Sequence, residues 1–276
     1  MSTQDSSPDD ERTSIAHPAR RYNYWLGGTE NFEADRISAD ALAAAFPTMR
    51  IFPVQNRRFL RRAVTYLVKE AGIRQFLDIG AGIPVADNVH EVAQSIAPDA
   101  RVVYADNDPI VLAHAQKLRA GTPAGATPYI RADMREPDTI FGNAELRETL
   151  DLSRPVALML LAVLHFFVDD DEAYDRVTAL TSELPPGSYL VMSHGTRDFM
   201  SAEAAGEIEA AVQREDACTS DPFRFRDRAQ FARFFSGMTL VPPGIQSISD
   251  WRNDEPDDDS ASAANRSTYG AVARIS

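Results

Sequence analysis

The chain has one cysteine, two lysines and no long apolar run in 276 residues. The lone Cys218 excludes an internal disulfide and a cysteine-built zinc site, and its isolation fits a reducing compartment. It is read as an inert small side chain. Of 28 basic residues only Lys69 and Lys117 are lysines, a bias toward arginine across the whole chain, so single arginines are not read as phosphate contacts. The longest apolar stretch, Val156 to Leu164, falls far short of the ~20 residues of a membrane helix, and no membrane partner is expected. Met1 to Ser14 lacks the basic start and apolar centre of a secretory signal; it is read as a disordered tail of a cytoplasmic protein. A formal charge of −13 repels the phosphate backbone of nucleic acids, so no nucleic-acid partner is expected.

What is present suits one large α/β domain, with 44% hydrophobic residues supplying a full core. Short apolar runs alternate with amphipathic stretches, as in βαβ units. The expected strands are Gln75–Gly80, Arg101–Asp106, Thr127–Asp133, Val156–Val163 and Ser188–His194. Between the first two, Val85, Val89, Val92, Ala93 and Ile96 share a helical face; Val111, Ala115 and Leu118 do so after the second. Asp170–Leu184 is a further helix, with Ala173, Val177, Leu180 and Leu184 inward. Crossovers of this kind are right-handed, so the sheet is doubly wound.

Upstream, Pro53–Ala71 reads as a helix with Phe59, Leu60, Ala63, Leu67 and Val68 on one face. The cluster Arg57, Arg58, Arg61 and Arg62 is read as its solvated side. Ser201–Ala217 and Phe223–Phe235 read as two inserted helices. The sheet resumes over Thr239–Gln246, and Tyr269–Ile275 is the last strand beyond a mobile acidic loop, Asn253–Ser267.

Chemistry concentrates at the ends of the first three strands. Phe76-Leu77-Asp78-Ile79-Gly80-Ala81-Gly82 is an apolar strand running into a Gly-x-Gly turn, whose glycines let backbone approach a ligand. A nicotinamide fingerprint requires a third glycine or alanine where Val85 stands after Pro84, and Asp78 interrupts an otherwise apolar strand. A carboxylate at Asp78 suits a cationic amine, such as the methionine part of S-adenosylmethionine. The second strand ends at Asp106, where a carboxylate can accept from both ribose hydroxyls, with Asn107 along the adenine. Asp108, before Pro109, reads as a helix cap. The third ends at Asp133 and Met134, a carboxylate and a backbone N–H suited to the adenine edge.

These motifs resemble those of class I S-adenosylmethionine-dependent methyltransferases over about Gln75 to Ser276. Leu161-Ala162-Val163-Leu164-His165-Phe166-Phe167 is similar to the segment after the fourth strand in many small-molecule members. Ala19 to Phe32, with Asp87 to Ala93, resembles a narrower family of S-adenosyl methyltransferases first catalogued as a domain of unknown function. Pro84 stands where many class I enzymes have a third glycine, which makes the turn more rigid.

The resemblance implies a mostly parallel, seven-stranded, Rossmann-like sheet with a N-terminal helical extension: a tail over 1–14, a helical cap over 15–72 and the cofactor-binding domain over 73–276. It implies S-adenosylmethionine as cofactor, bound by Asp78, Gly80, Ala81, Gly82, Asp106, Asn107, Asp133, Met134, Leu161, Ala162 and Tyr22. The expected partner is a small-molecule methyl acceptor. Positioning the acceptor supplies much of the catalysis, and His165 and His194, both at strand ends, are the candidate proton acceptors. No metal-ligand spacing is evident. Tyr22, Tyr24, Trp25 and Phe32 are expected to fold over the cleft as a lid. A non-catalytic cofactor-binding module and a nicotinamide-dependent oxidoreductase are the competing readings.

Overall fold

The structure, a computed structural model, describes residues 13–117, 125–216, 222–253 and 266–276. Cys218, Leu118, most of the tail and most of the acidic loop lie outside the described residues. Among the described residues no helix is long and apolar enough to cross a membrane.

Period-2 alternation builds the sheet. In β1 (Gln75–Ile79), β2 (Arg101–Asp106), β4 (Ala157–Leu161) and β5 (Tyr189–Gly195), alternate residues enter two separate cores. Leu77, Ile79, Val103, Leu158, Leu160, Leu190 and Met192 face one side; Phe76, Val102, Tyr104, Ala157, Met159 and Val191 face the other. A strand buried on both faces must sit inside a parallel sheet, sandwiched between helices. With β3 (Tyr129–Arg131), the strand order is β3-β2-β1-β4-β5, every pairing parallel. The last strand, β8 (Thr268–Arg274), pairs antiparallel with β5.

The expected sixth strand is broken in two. β6 (Thr239–Leu240) and β7 (Gln246–Ser247) both pair with β8, so the sheet has eight strands in place of the expected seven. Pro242 and Pro243 lack the N–H a ladder needs, and Gly244 at φ 82° turns the chain between the two pieces.

Helices cover both faces. α1 (Pro18–Trp25), α2 (Glu33–Ala45) and α3 (Phe52–Lys69) precede the sheet. α3 carries Phe59, Leu60, Ala63, Leu67 and Val68 into the second core, as its spacing required. α4 (Val89–Ile96) begins four residues later than Val85, which is not part of it. α5 (Pro109–Lys117) starts under Asp108. α6 (Pro137–Phe141), α7 (Ala144–Thr149) and α8 (Asp170–Ser182) pack on the first core, α8 through Ala173, Val177 and Leu180. α9 (Ala202–Asp216) lies against α2.

The helix expected over Phe223–Phe235 is reduced to α10 (Arg228–Arg233). The residues before it run as an irregular strap, because Arg226 is anchored elsewhere. Its guanidinium, 1% exposed, donates to Leu164 O (3.1 Å), Phe167 O (2.8 Å) and the Asp170 carboxylate (3.0 Å), while its backbone N–H reaches Gly195 O. Carbonyls just beyond β4 thus find their donors in one side chain. Removing it takes that donor from both buried carbonyls and from His194 Nε2, while Asp170 keeps its pair with Arg224. Arg226→Met is expected to lower the unfolding free energy by about 3–5 kcal/mol in chemical denaturation.

Candidate functional site

The carboxyl ends of β1, β2, β3 and β4 converge because parallel strands all finish at one edge. There the chain leaves β1 through Gly80 (φ 73°) and Gly82 (φ 65°). A Cβ on Gly80 would lie 2.7 Å from Val163 Cγ2, so only glycine takes both the backbone shape and the space.

Asp106 holds the turn. Its Oδ2 accepts from Gly82 N at 2.8 Å and its Oδ1 from Asp108 N at 3.0 Å, and each oxygen keeps a second lone pair. Burial raises its pKa, although the two backbone bonds oppose this. Asp108 turns away from the site and accepts from Ile110 N at 2.8 Å, capping α5 as its place before Pro109 suggested. Asn107 Nδ2 donates to Asp133 Oδ2 at 3.0 Å, tying the ends of β2 and β3 together.

One cavity of about 230 Å³ opens over these ends. Asp78, Gly80, Ala81, Gly82, Asp106, Asn107, Asp133, Met134, Leu161, Ala162 and Tyr22 all line it, so the sequence-derived cofactor residues are brought together. Val85, expected on a helix face, lines it too. Burial pushes the Asp78 carboxyl up to about 7, with Arg57 opposing and Asp106 adding to the rise. Ala162 adopts φ 56° and is held by its N–H on Ser193 Oγ at 2.9 Å, a strained backbone at the cavity wall. Tyr22 O–H donates to Pro53 O and accepts from Asn56 Nδ2.

Away from the strand ends the cavity becomes apolar. Leu42, Phe46, Met49, Ile208, Val212, Phe223 and Phe225 line this half, contributed by the end of α2 and the turn after it, by α9 and by the strap before α10. The lid expectation divides here: Tyr22 and Trp25 line the cavity, whereas Tyr24 bonds Asp40 and Phe32 lies 37% exposed on the outside.

The two histidines part company. His165 lines the cavity, 3% exposed, with Nδ1 lacking any hydrogen-bond partner and Phe223 stacked on its ring at 4.3 Å. Burial, with His194 and Arg226 adding, holds it neutral, its pKa well below the ordinary value. His194 does not line the cavity. Its Nδ1–H donates to Gly195 O at 2.8 Å and its Nε2 accepts from Arg226 Nη1 at 2.8 Å, so both nitrogens are engaged and its pKa is pushed down to about 3 by burial and by Arg226. His194 is therefore placed to hold the strap and the segment carrying His165, not to take a proton from a bound molecule.

Sequence reasoning missed Arg57, Asn56 and Arg21, all of which line the cavity. Arg57 corrects the reading of its cluster as a solvated face, as does Arg62, which donates to Trp251 O and Ile248 O. Arg57 Nη2 donates to Ala86 O and Asn88 Oδ1, while its Nε and Asn56 Oδ1 are buried without a partner. A cation, an amide oxygen and the Asp78 carboxylate around one space suit the zwitterionic end of an amino acid. Only the spacing from Pro53 placed Arg57 on α3; nothing in an arginine-rich chain singled it out. Among the described residues no three His, Cys, Asp or Glu side chains converge as metal ligands.

Relatives agree with this geometry. A Streptomyces avermitilis DUF574 family protein is 46% identical, with a TM-score of 0.90 over 96% of this chain and 99% of its own. A Thermobifida fusca protein, provisionally described as a methyltransferase, is 36% identical, with a TM-score of 0.86 over 98% and 99%. The mitomycin 7-O-methyltransferase MmcR shares the fold at 15% identity and a TM-score of 0.52, over 83% of this chain and 56% of its own. No curated protein matches the chain. The S-adenosyl methyltransferase family model matches residues 4–276; the chain belongs to that family and is an S-adenosylmethionine-dependent methyltransferase.

Proposed function

We propose that this methyltransferase acts on a small molecule bound in the apolar half of the cavity, with His165 receiving the proton the acceptor gives up. The observation that carries the reading is a cavity running from carboxylates at the strand ends to a buried imidazole, its Nδ1 without a partner, among aromatic side chains. S-adenosylmethionine supplies, when bound, an electrophilic methyl group on a sulfonium. The chain's own residues bind, orient and exclude water around it. Asp106 accepts from the ribose hydroxyls, and Asn107, Asp133 and Met134 take the adenine. Asp78 and Asn56 take the amine, and Arg57 the carboxylate. Leu161 and Ala162 form the wall beside it. Residues 15–72 serve as a cap, 73–276 as the catalytic domain, and α1 covers the glycine turn, where Ala19 Cβ lies 3.9 Å from a Cβ built on Gly82. Cytoplasmic residence and the lack of a nucleic-acid or membrane partner belong to the same proposal.

Asp106→Ala removes charged acceptors worth roughly 1.5–3 kcal/mol and should weaken S-adenosylhomocysteine binding by about 10- to 150-fold. Asp108→Ala, which removes the cap on Ile110 N and the contact with His17 Nδ1 at 3.3 Å, should cost about 1 kcal/mol of stability with affinity nearly intact. Calorimetric titration of both variants separates them, and the reverse order of losses moves the ribose contact to Asp108.

Asp78 adds a pH signature. In the free protein its carboxyl loses its proton near pH 7, and the amine requires it ionised. Affinity for S-adenosylhomocysteine should therefore fall as pH drops below about 7, by up to tenfold per unit. Asp78→Asn should bind weakly with that dependence removed. A flat wild-type profile between about pH 5 and pH 8 contradicts the assignment.

His165→Gln should lower single-turnover methyl transfer by about 10²- to 10⁴-fold while leaving S-adenosylhomocysteine affinity unchanged. Equal losses in both would make His165 part of the cofactor site instead.

A further inference from the structure

Resting on the methyl-transfer reading, we propose that the acceptor is a planar aromatic molecule bearing an acidic hydroxyl, whose oxygen takes the methyl group beside His165 and Arg21. The walls decide its shape. Phe46, Met49, Ile208 and Val212 offer no strong hydrogen-bonding group; Phe223 stacks on the His165 ring at 4.3 Å, and Phe225 meets Phe223 at 4.8 Å with its ring tilted by 59°. A flat ring packs by face or edge against such walls, whereas a sugar or peptide would bury polar groups without partners.

Charge decides the reacting atom. Among the described residues that line the cavity the acids are Asp78, Asp106 and Asp133, all at the strand ends. The acceptor half instead offers Arg21, buried and bonded to Ser38 Oγ at 3.0 Å, and His165, which feels Arg21's charge. A protonated amine meets repulsion there, and an oxygen that is losing its proton meets a compensating cation. The state of His165 narrows the class further. His165 is buried beside Arg21 and Arg226, which disfavour its protonated form, so it takes a proton more readily from an acidic phenol or enol than from an aliphatic alcohol. The hydroxyl proton passes to His165 as an oxygen lone pair forms the new O–CH₃ bond. The C–S bond breaks with its electron pair left on sulfur, giving an aryl methyl ether and S-adenosylhomocysteine. The imidazolium then returns its proton to solvent.

The test uses 4-nitrophenol, whose ionised and neutral forms absorb differently, added to the full-length protein saturated with S-adenosylhomocysteine. The bound probe should show the phenolate band at a pH about one unit below that needed in free solution, a tenfold shift in its ionisation. It should also bind at least about tenfold more tightly than 4-nitrobenzylamine, a cation of similar size. His165→Asn should return the bound probe to its neutral form, and Arg21→Lys should retain the band that Arg21→Gln loses. The wild-type spectrum decides the matter even where a variant fails to fold. A bound probe that stays neutral, no binding of the probe, or a preference for the amine overturns the proposal. Since S-adenosylhomocysteine binding is measured first by calorimetry, its absence refutes the cofactor reading instead, and the two failures are distinguishable.

Discussion

A single carboxylate sets the geometry from which the rest of the site follows. Asp106 accepts the N–H of Gly82 with one oxygen and that of Asp108 with the other. The first bond shapes the turn after β1; the second directs the chain into α5, whose first N–H groups Asp108 then caps. A parallel sheet alone brings strand ends to one edge without deciding where the loops go. Both loops are decided here by bonds to one side chain that is itself fixed by a buried strand, and α1 can lie flat on the resulting turn.

The two halves of the cavity are built by different physics. At the strand ends, directional hydrogen bonds among Asp106, Asn107, Asp133 and the glycine turn hold polar groups at defined positions. In the other half, shape comes from the packing of Phe46, Ile208 and Val212 with their aromatic neighbours, and Arg21 and His165 give it a sense of charge. The front of the molecule is held by a buried pair. Asp35, fully buried, accepts from His17 N, Phe32 N and the Arg20 guanidinium, so the starts of α1 and α2 meet one group and the cap has a defined pose.

Much of this was legible because it is local. Strands read from short apolar runs lie within a few residues of their places, and Asp78, Asp106 and Asp133 could be named because an acid at a strand end has a position independent of the remaining fold. Phe223, Phe231, Phe234 and Phe235 mimic helical spacing, yet the first belongs to a strap whose backbone follows Arg226 toward carbonyls about 60 positions earlier in the chain. Helical propensity has no knowledge of such acceptors. The roles of Arg57 and Arg62 were hidden for the same reason, their partners being backbone atoms brought near only by folding. The split sixth strand was the exception, since Pro242 and Pro243 were visible and were not weighed against the apolar residues around them.

The apolar wall is drawn from the end of α2 and the turn after it, from α9 and from the strap before α10, segments that contribute no strand to the sheet. Selection can therefore exchange the side chains of these segments without disturbing the carboxylates at the strand ends. In such an arrangement one half of the cavity is free to change shape while the other stays fixed by the sheet.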